Sequence, residues 1–126
     1  MEWKKEYSVH VPEVDDSHRV IAEHITEIEQ AVAHGEPWLV IHSAIADLTD
    51  YTRIHFALEE TVMRIQRYPD LQAHINSHNH FLADLTVLAR NALAEAGSKC
   101  SIEFLRLWFE EHLFEDKKYI ASLSGH

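Results

Sequence analysis

Residues 41–62 read IHSAIADLTDYTRIHFALEETV and carry a seam of positions spaced alternately by four and three residues. This spacing is typical of a helix that packs nearly antiparallel against its neighbours in a helical bundle. The seam starts with aliphatic residues and becomes polar toward its C-terminal end: Ile41, Ile45, Leu48, Thr52, His55, Glu59 and Val62. The segment therefore predicts a bundle helix that brings polar side chains into the core.

Helix breakers divide the chain into four segments of helical length. We expect helices from the N-cap candidates Asp15, Asp16 and Ser17 to about His34, from Pro37 to about Arg67, from Asp70 to Ala96, and from Ser98 to about Ser122. Short connections make consecutive helices antiparallel, and 126 residues suffice for one core. The sequence therefore predicts an all-α fold, an antiparallel up-down four-helix bundle with an N-terminal arm, in which residues 1–126 form a single domain.

Similar seams run along the other three expected helices. Their positions are Val14, His18, Ile21, Ile25, Ile28 and Val32; His74, His78, Phe81, Leu85, Leu88 and Ala92; and Ile102, Leu105, Phe109, His112, Asp116, Tyr119 and Leu123. A seam residue faces the core, where an unpaired carboxylate or imidazole carries a free-energy penalty of roughly several kcal/mol. The polar seam residues must therefore bind one another or something held between them.

The overall charge and the cysteine content exclude several classes of protein. A formal net charge of −10 opposes binding to a nucleic acid backbone, and no stretch approaches the roughly 20 apolar residues of a membrane helix. Cys100 is the only cysteine, which precludes an internal disulfide, and the first residues lack the apolar stretch of a secretory signal. We therefore expect a soluble, cytoplasmic protein with no nucleic acid and no membrane partner.

The polar seam residues converge on one end of the expected bundle. They lie at the starts of the first and third helices and toward the ends of the second and fourth: His18, His55, Glu59, His74, His78, His112 and Asp116. Three pairs among them are four residues apart, which places both members on one helix face, within reach of one ion or of adjacent ions. This convergence predicts a metal site, and Glu60 beside it is expected to be a solvated acid.

The donor types indicate how many metal ions such a site holds. Imidazole suits Zn, Cu, Fe and Ni, and carboxylates that bridge two ions are typical of di-iron sites in helical bundles. Five imidazoles and two carboxylates exceed what one tetrahedral zinc ion can use, so we expect two ions. If both carboxylates and a solvent-derived oxygen bridge two six-coordinate ions, one coordination position stays open for a small ligand.

Four stretches of the chain resemble the hemerythrins, particularly the single-domain bacterial members (bacteriohemerythrins). They span nearly the whole chain in the family's order: Trp3 with Val14-Asp15-Asp16-Ser17-His18; His55-Phe56-Ala57-Leu58-Glu59-Glu60 with Met63 and Tyr68-Pro69; His74-Ile75-Asn76-Ser77-His78 with Phe81; and Trp108 and His112 with Asp116-Lys117-Lys118-Tyr119. The resemblance implies a non-haem di-iron centre that binds dioxygen reversibly.

The resemblance also implies roles for individual residues. The cofactor would be two iron ions (Fe2+/Fe3+) with a bridging oxo or hydroxo group, held by His74, His78 and His112 on one iron, by His18 and His55 on the other, and by Glu59 and Asp116 as bridges. Dioxygen, the ligand, would occupy the open position on the His18/His55 iron. The family's apolar ligand pocket, which keeps water and anions from the iron, maps onto Ile21, Phe56, Trp108, Phe109 and Leu113.

Two positions depart from the family's pattern. His10 stands where the family usually has Gly, and the last His and Asp are four residues apart rather than five. The second departure concerns the site itself, because Glu115 could take over part of the bridging role. The seam places Asp116 inward and Glu115 nearer the flank of the helix, so we expect Asp116 to be the bridge.

Three classes of function suit such a centre. The expected function is reversible dioxygen binding without enzymatic activity, for carriage, storage, delivery or sensing, with a redox or oxygen-accepting protein as a candidate partner. The alternative is a di-iron redox enzyme that acts on peroxide, nitric oxide or dioxygen. Catalysis would need a proton donor near the ligand, whereas the expected pocket is apolar. Bulk metal storage is disfavoured, because seven fixed ligands suit only two ions.

Overall fold

Four α-helices make up nearly all of the structure, a computed structural model that describes residues 3–5, 8, 12–94 and 103–124. They are α1 (Pro12–Ala33), α2 (Trp38–Ile65), α3 (Leu71–Ala94) and α4 (Glu103–Ser124). Helix α2 packs against both α1 and α3, and α1 also packs against α4. Short connections reverse the chain after α1 and after α2, and the predicted all-α, antiparallel four-helix bundle is confirmed.

Helix α1 begins before the residues that were expected to cap it. Pro12 occupies its first position, where the missing N–H of proline breaks no hydrogen bond and the fixed φ suits the helix. The predicted N-cap at Asp15, Asp16 or Ser17 was therefore wrong. Asp15 instead lies inside the helix, where its Oδ2 accepts a 2.6 Å hydrogen bond from Ser8 Oγ.

A residue with a left-handed backbone conformation follows each of the first two helices and helps to reverse the direction of the chain. Gly35 after α1 has a φ of 64°, and Arg67 after α2 has a φ of 55°. Such residues let the next N–H close onto the last helical turn, as Tyr68 N–H does at 2.9 Å from the Met63 carbonyl. Tyr68 is then buried with Met63 and Tyr119. This turn brings the end of α2 beside the start of α3.

Large apolar side chains fill the core along the inner faces of all four helices. The main buried residues are Ile21, Ile25 and Ile28 of α1; Ile41, Ile45, Leu48 and Phe56 of α2; Phe81, Leu85 and Leu88 of α3; and Leu105, Phe109 and Leu113 of α4. Burial of these side chains is the main favourable contribution to folding. No helix within the described ranges is long and apolar enough to cross a membrane.

Several expectations concern positions outside the described residues. The predicted end of the third helix at Ala96, the predicted start of the fourth at Ser98, and both Cys100 and His10 lie there. Helix α4 continues to Ser124, slightly beyond the expected end near Ser122.

Candidate metal centre

The seven polar seam residues come together at one end of the bundle. Their donor atoms form two groups that share Glu59, and within each group the atoms lie within 4.8 Å of one another. One group contains His18, His55, Glu59, His112 and Asp116, and the other contains Glu59, His74 and His78. Since every helix contributes at least one member, the bundle itself positions the cluster.

Glu59 lies at the centre of this cluster and presents its two oxygens to different imidazoles. Its Oε2 is 3.3 Å from His55 Nε2 and 4.0 Å from His112 Nε2. Its Oε1 is 3.1 Å from His78 Nε2 and 3.8 Å from His74 Nδ1. One carboxylate therefore faces imidazoles from three helices.

Asp116 lies inside the cluster, whereas Glu115 stays at its edge. Asp116 Oδ2 is 2.7 Å from His18 Nε2 and 3.1 Å from His112 Nε2, and the residue is 1% exposed. The Glu115 side chain is 46% exposed, and its Oε2 is 3.9 Å from His74 Nε2. The inward position that the seam gave to Asp116 is thus observed, while its role as a bridging ligand stays a prediction.

Unsatisfied polar atoms test whether these residues suit a metal ion. Each of the seven has one buried nitrogen or oxygen without a hydrogen-bond partner among the described residues: His18 Nδ1, His55 Nε2, Glu59 Oε1, His74 Nε2, His78 Nε2, His112 Nε2 and Asp116 Oδ1. An unsatisfied buried polar atom destabilises a protein by about 1–3 kcal/mol. Cations held among imidazole nitrogens and carboxylate oxygens would satisfy such atoms, so the residues fit a metal centre.

Two imidazoles of the cluster are hydrogen-bonded through Nδ1 to side chains outside the cluster. His78 Nδ1–H donates to Glu60 Oε2 at 2.6 Å, because an ionised carboxylate only accepts. His55 Nδ1 is hydrogen-bonded to Ser17 Oγ at 2.7 Å, and Ser17 Oγ lies 3.2 Å from Tyr51 Oη. Such contacts fix the ring orientation and the tautomer of a metal-binding histidine.

Sequence reasoning missed these supporting residues. Glu60 was expected to be a solvated acid, and that expectation was wrong because its side chain is only 20% exposed and is hydrogen-bonded to His78. The sequence places Glu60 beside Glu59 but does not show which neighbouring helix it faces. Glu60 follows Glu59 and is therefore turned by about 100° around α2, here toward the neighbouring α3.

Three of the five apolar residues expected to line a ligand pocket contact imidazoles of the cluster. Phe56 stacks on His78 with a centroid distance of 3.8 Å, and Trp108 stacks on His112 at 4.9 Å. Phe109 meets His18 edge-on at 6.3 Å. All five belong to the core or pack against it: Ile21, Phe56, Trp108, Phe109 and Leu113. Their role around a bound ligand stays a prediction.

Two surface cavities reach members of the cluster from other directions. The first, here called the aliphatic groove, has a volume of about 300 Å³ and is lined by Val14, Ser17, His55, Leu58, Glu59, Val62, Asp116, Tyr119 and Ile120. The second, the acidic cavity, has a volume of about 470 Å³ and is lined by Ala73, His74, Ser77, Leu107, Glu110, Glu111, Phe114 and Glu115. The cluster is therefore approached by one apolar and one acidic opening.

Burial and mutual charge set the protonation of the cluster. Burial disfavours the imidazolium form of His112, but the nearby Asp116 and Glu59 carboxylates outweigh it and raise the pKa of His112 to about 9. Burial also opposes ionisation of Asp116, yet the charge of nearby His112 and the hydrogen bond with His18 hold the pKa of Asp116 well below the usual range. His18 behaves oppositely, because burial lowers its pKa. A proton on His112 thus balances part of the buried negative charge.

Comparison with known proteins identifies this arrangement. The family model described as the Hemerythrin HHE cation binding domain matches residues 9–123. The chain belongs to the hemerythrin family. Its seven-residue cluster accordingly lies in a hemerythrin-like cation-binding domain and is consistent with a di-iron site.

Several bacteriohemerythrins are similar to this hemerythrin-family chain. That of Methylococcus capsulatus (strain ATCC 33009 / NCIMB 11132 / Bath) is 30% identical over 124 residues, which cover 95% of this chain and 93% of the relative. That of Stenotrophomonas maltophilia (strain R551-3) is 27% identical over 128 residues, covering 98% and 82%. That of Pseudomonas aeruginosa (strain LESB58) is 32% identical over 80 residues, covering 64% of this chain but only 52% of the relative. The match thus spans about half the length of the Pseudomonas protein.

Replacing Glu60 tests the support given to His78. Glu60→Gln keeps the size of the side chain but removes the charge that accepts from His78 Nδ1–H. We expect metal affinity to fall by about 10-fold to 100-fold, as is typical when a partner of a metal-binding histidine is lost. Competition with a chromophoric chelator measures this affinity, and the exposed Glu27→Gln serves as a control. Equal affinities in the two variants would contradict the supporting role.

Proton release on metal binding tests the protonation of His112. A metal ion binds only the neutral imidazole, so binding at pH 8 must displace the proton that the pKa of about 9 keeps on His112. Between pH 8 and 10 the number of protons released per chain should fall by about one, and metal affinity should rise until His112 is neutral. Titration in weak buffer with an indicator dye measures the release. A release that stays constant across this range would show that His112 is already neutral at pH 8.

Proposed function

We propose that this hemerythrin-family chain binds dioxygen reversibly at a non-haem di-iron centre held by the seven-residue cluster. The observation that carries the proposal is the position of Glu59, whose two oxygens face different imidazoles. A carboxylate that binds a single ion can do so with one oxygen, whereas a carboxylate that bridges two adjacent ions presents one oxygen to each. The cluster geometry thus favours a pair of ions over one.

The contacts within the cluster support the assignment of ligands that the family resemblance implies. Asp116 Oδ2 contacts both His18 and His112, which the resemblance assigns to different irons. Glu59 likewise contacts His55 of one set and His78 of the other. Each carboxylate therefore lies between the two sets of imidazoles, where a bridge is required.

The surroundings of the cluster suit a small apolar ligand. When bound, the iron pair would supply the electrons and the open coordination position that reversible dioxygen binding requires. Phe56 stacks on His78 and Trp108 on His112, and both aromatic rings exclude water from these imidazoles. The aliphatic groove, with Leu58 and Val62 in its walls, reaches His55, which the resemblance places on the iron with the open position.

Reversible oxygenation is the direct test of this function. The iron-loaded chain is reduced without oxygen, then exposed to oxygen and flushed with argon, while the visible spectrum and the iron content are recorded. We expect two irons per chain and an oxygenated spectrum that appears and disappears with oxygen. Steady oxygen consumption in the presence of a reductant would instead indicate the di-iron redox enzyme. One zinc ion per chain would overturn the di-iron proposal.

The identity of the second bridge is tested by two neighbouring substitutions. Asp116→Ala removes a buried carboxylate that contacts two imidazoles, and Glu115→Ala removes one that is largely outside the cluster. We expect Asp116→Ala to lose at least one of the two metal ions and Glu115→Ala to retain both. Metal analysis after gel filtration gives the stoichiometry. Greater metal loss from Glu115→Ala than from Asp116→Ala would show that Glu115, and not Asp116 four residues after His112, supplies the second bridge.

A further inference from the structure

The acidic cavity between α3 and α4 combines charge with apolar walls. Glu110, Glu111 and Glu115 contribute three carboxylates from two adjacent turns of α4, and Leu107 and Phe114 contribute exposed apolar side chains. Clefts lined by one sign of charge with low-dielectric walls concentrate the electric field. The cavity therefore attracts cations from solution.

A buried, unsatisfied nitrogen lies at the inner end of this cavity. His74 lines the cavity, is only 3% exposed, and its Nε2 has no hydrogen-bond partner among the described residues. That Nε2 lies 3.9 Å from Glu115 Oε2, and Nδ1 of the same ring lies 3.8 Å from Glu59 Oε1. One imidazole thus stands between a carboxylate of the cavity and the central carboxylate of the cluster.

A divalent cation needs ligands along its route into the cluster, because the cluster is buried. His78, His112 and Asp116 are each at most 5% exposed. An ion that sheds its water must gain protein ligands at each step, since a bare charge is strongly disfavoured in an apolar interior. The aliphatic groove also reaches the cluster, at His55, Glu59 and Asp116, but its remaining walls are mainly apolar. The acidic cavity instead offers carboxylates outside the cluster, followed by an imidazole.

We propose that the acidic cavity is the entry site through which a divalent metal cation reaches the cluster. Glu115, with Glu111 beside it, binds the partly hydrated ion, and His74 takes it over as water leaves. Glu59 then completes the transfer into the cluster. The steps are ligand exchanges, so no electron moves and the charge of the ion is unchanged. This inference rests on the metal centre of the proposed function but not on its oxygen chemistry.

The rate of metal uptake tests the entry site. Metal-free full-length protein is mixed with Co2+ in a stopped-flow instrument, and the visible absorbance of bound cobalt is followed. We expect Glu115→Gln to slow uptake by about tenfold, and the Glu111→Gln/Glu115→Gln double variant to slow it further, because the attracting charge is lost. Both variants should still reach the wild-type final spectrum and cobalt content. The exposed Glu27→Gln, on α1, should load at the wild-type rate.

Ionic strength and a variant of the other opening provide independent measurements. Added salt screens exposed charges, so uptake by the wild type should slow as NaCl is raised, and uptake by the double variant should depend less on salt. Leu58→Trp, which obstructs the aliphatic groove, should leave the cobalt rate unchanged. Circular dichroism of the metal-free variants checks that each retains its helices.

Each contrary result overturns the entry site in a different way. Equal uptake rates in wild type and Glu115→Gln would exclude Glu115 from the path. A Glu115→Gln variant that binds fewer ions at equilibrium would make Glu115 a permanent ligand rather than an entry residue. Slower cobalt uptake in Leu58→Trp would place entry at the aliphatic groove. Failure of the oxygen proposal is separate, because cobalt uptake does not depend on reversible oxygenation by the iron form.

Discussion

The buried carboxylate of Glu59 is the constraint on which the rest of this protein depends. It lies among imidazoles from α2, α3 and α4, in a region where an isolated negative charge would be strongly disfavoured. Only cations or protons can balance it there. The charge interaction between Glu59 and His112 therefore stabilises this end of the bundle together with the packing of Met63, Tyr68 and Tyr119, and the larger apolar core stabilises the remainder.

Residues whose position follows from helical periodicity could be predicted from sequence alone. The alternating spacing of four and three identifies inward positions regardless of how the helices are arranged, which is why His55, Glu59 and Asp116 could be placed in the core. Short connections then determine which helix ends meet. The preference for Asp116 over Glu115 followed from the same periodicity, and the structure buries Asp116 and exposes Glu115 accordingly.

Features that depend on the rotation and packing of neighbouring helices could not be predicted in this way. Glu60 supports His78 only because α3 lies on that side of α2, and the seam contains no information about its flanks. The start of α1 was misplaced because proline at a first helical position competed with three plausible capping residues. The acidic cavity arises where side chains fail to fill the space between α3 and α4, which no pattern along the chain records.

The contact between His18 and Asp116 joins residues that are 98 positions apart, near the two ends of the chain. Closing so long a loop costs conformational entropy, so this contact depends on the packing that brings α4 beside α1. Docking of α4 against α1 at this end and assembly of the cluster are therefore the same event. A newly made chain therefore lacks the complete set of seven side chains until α4 has been made, because His112 and Asp116 both lie in that helix.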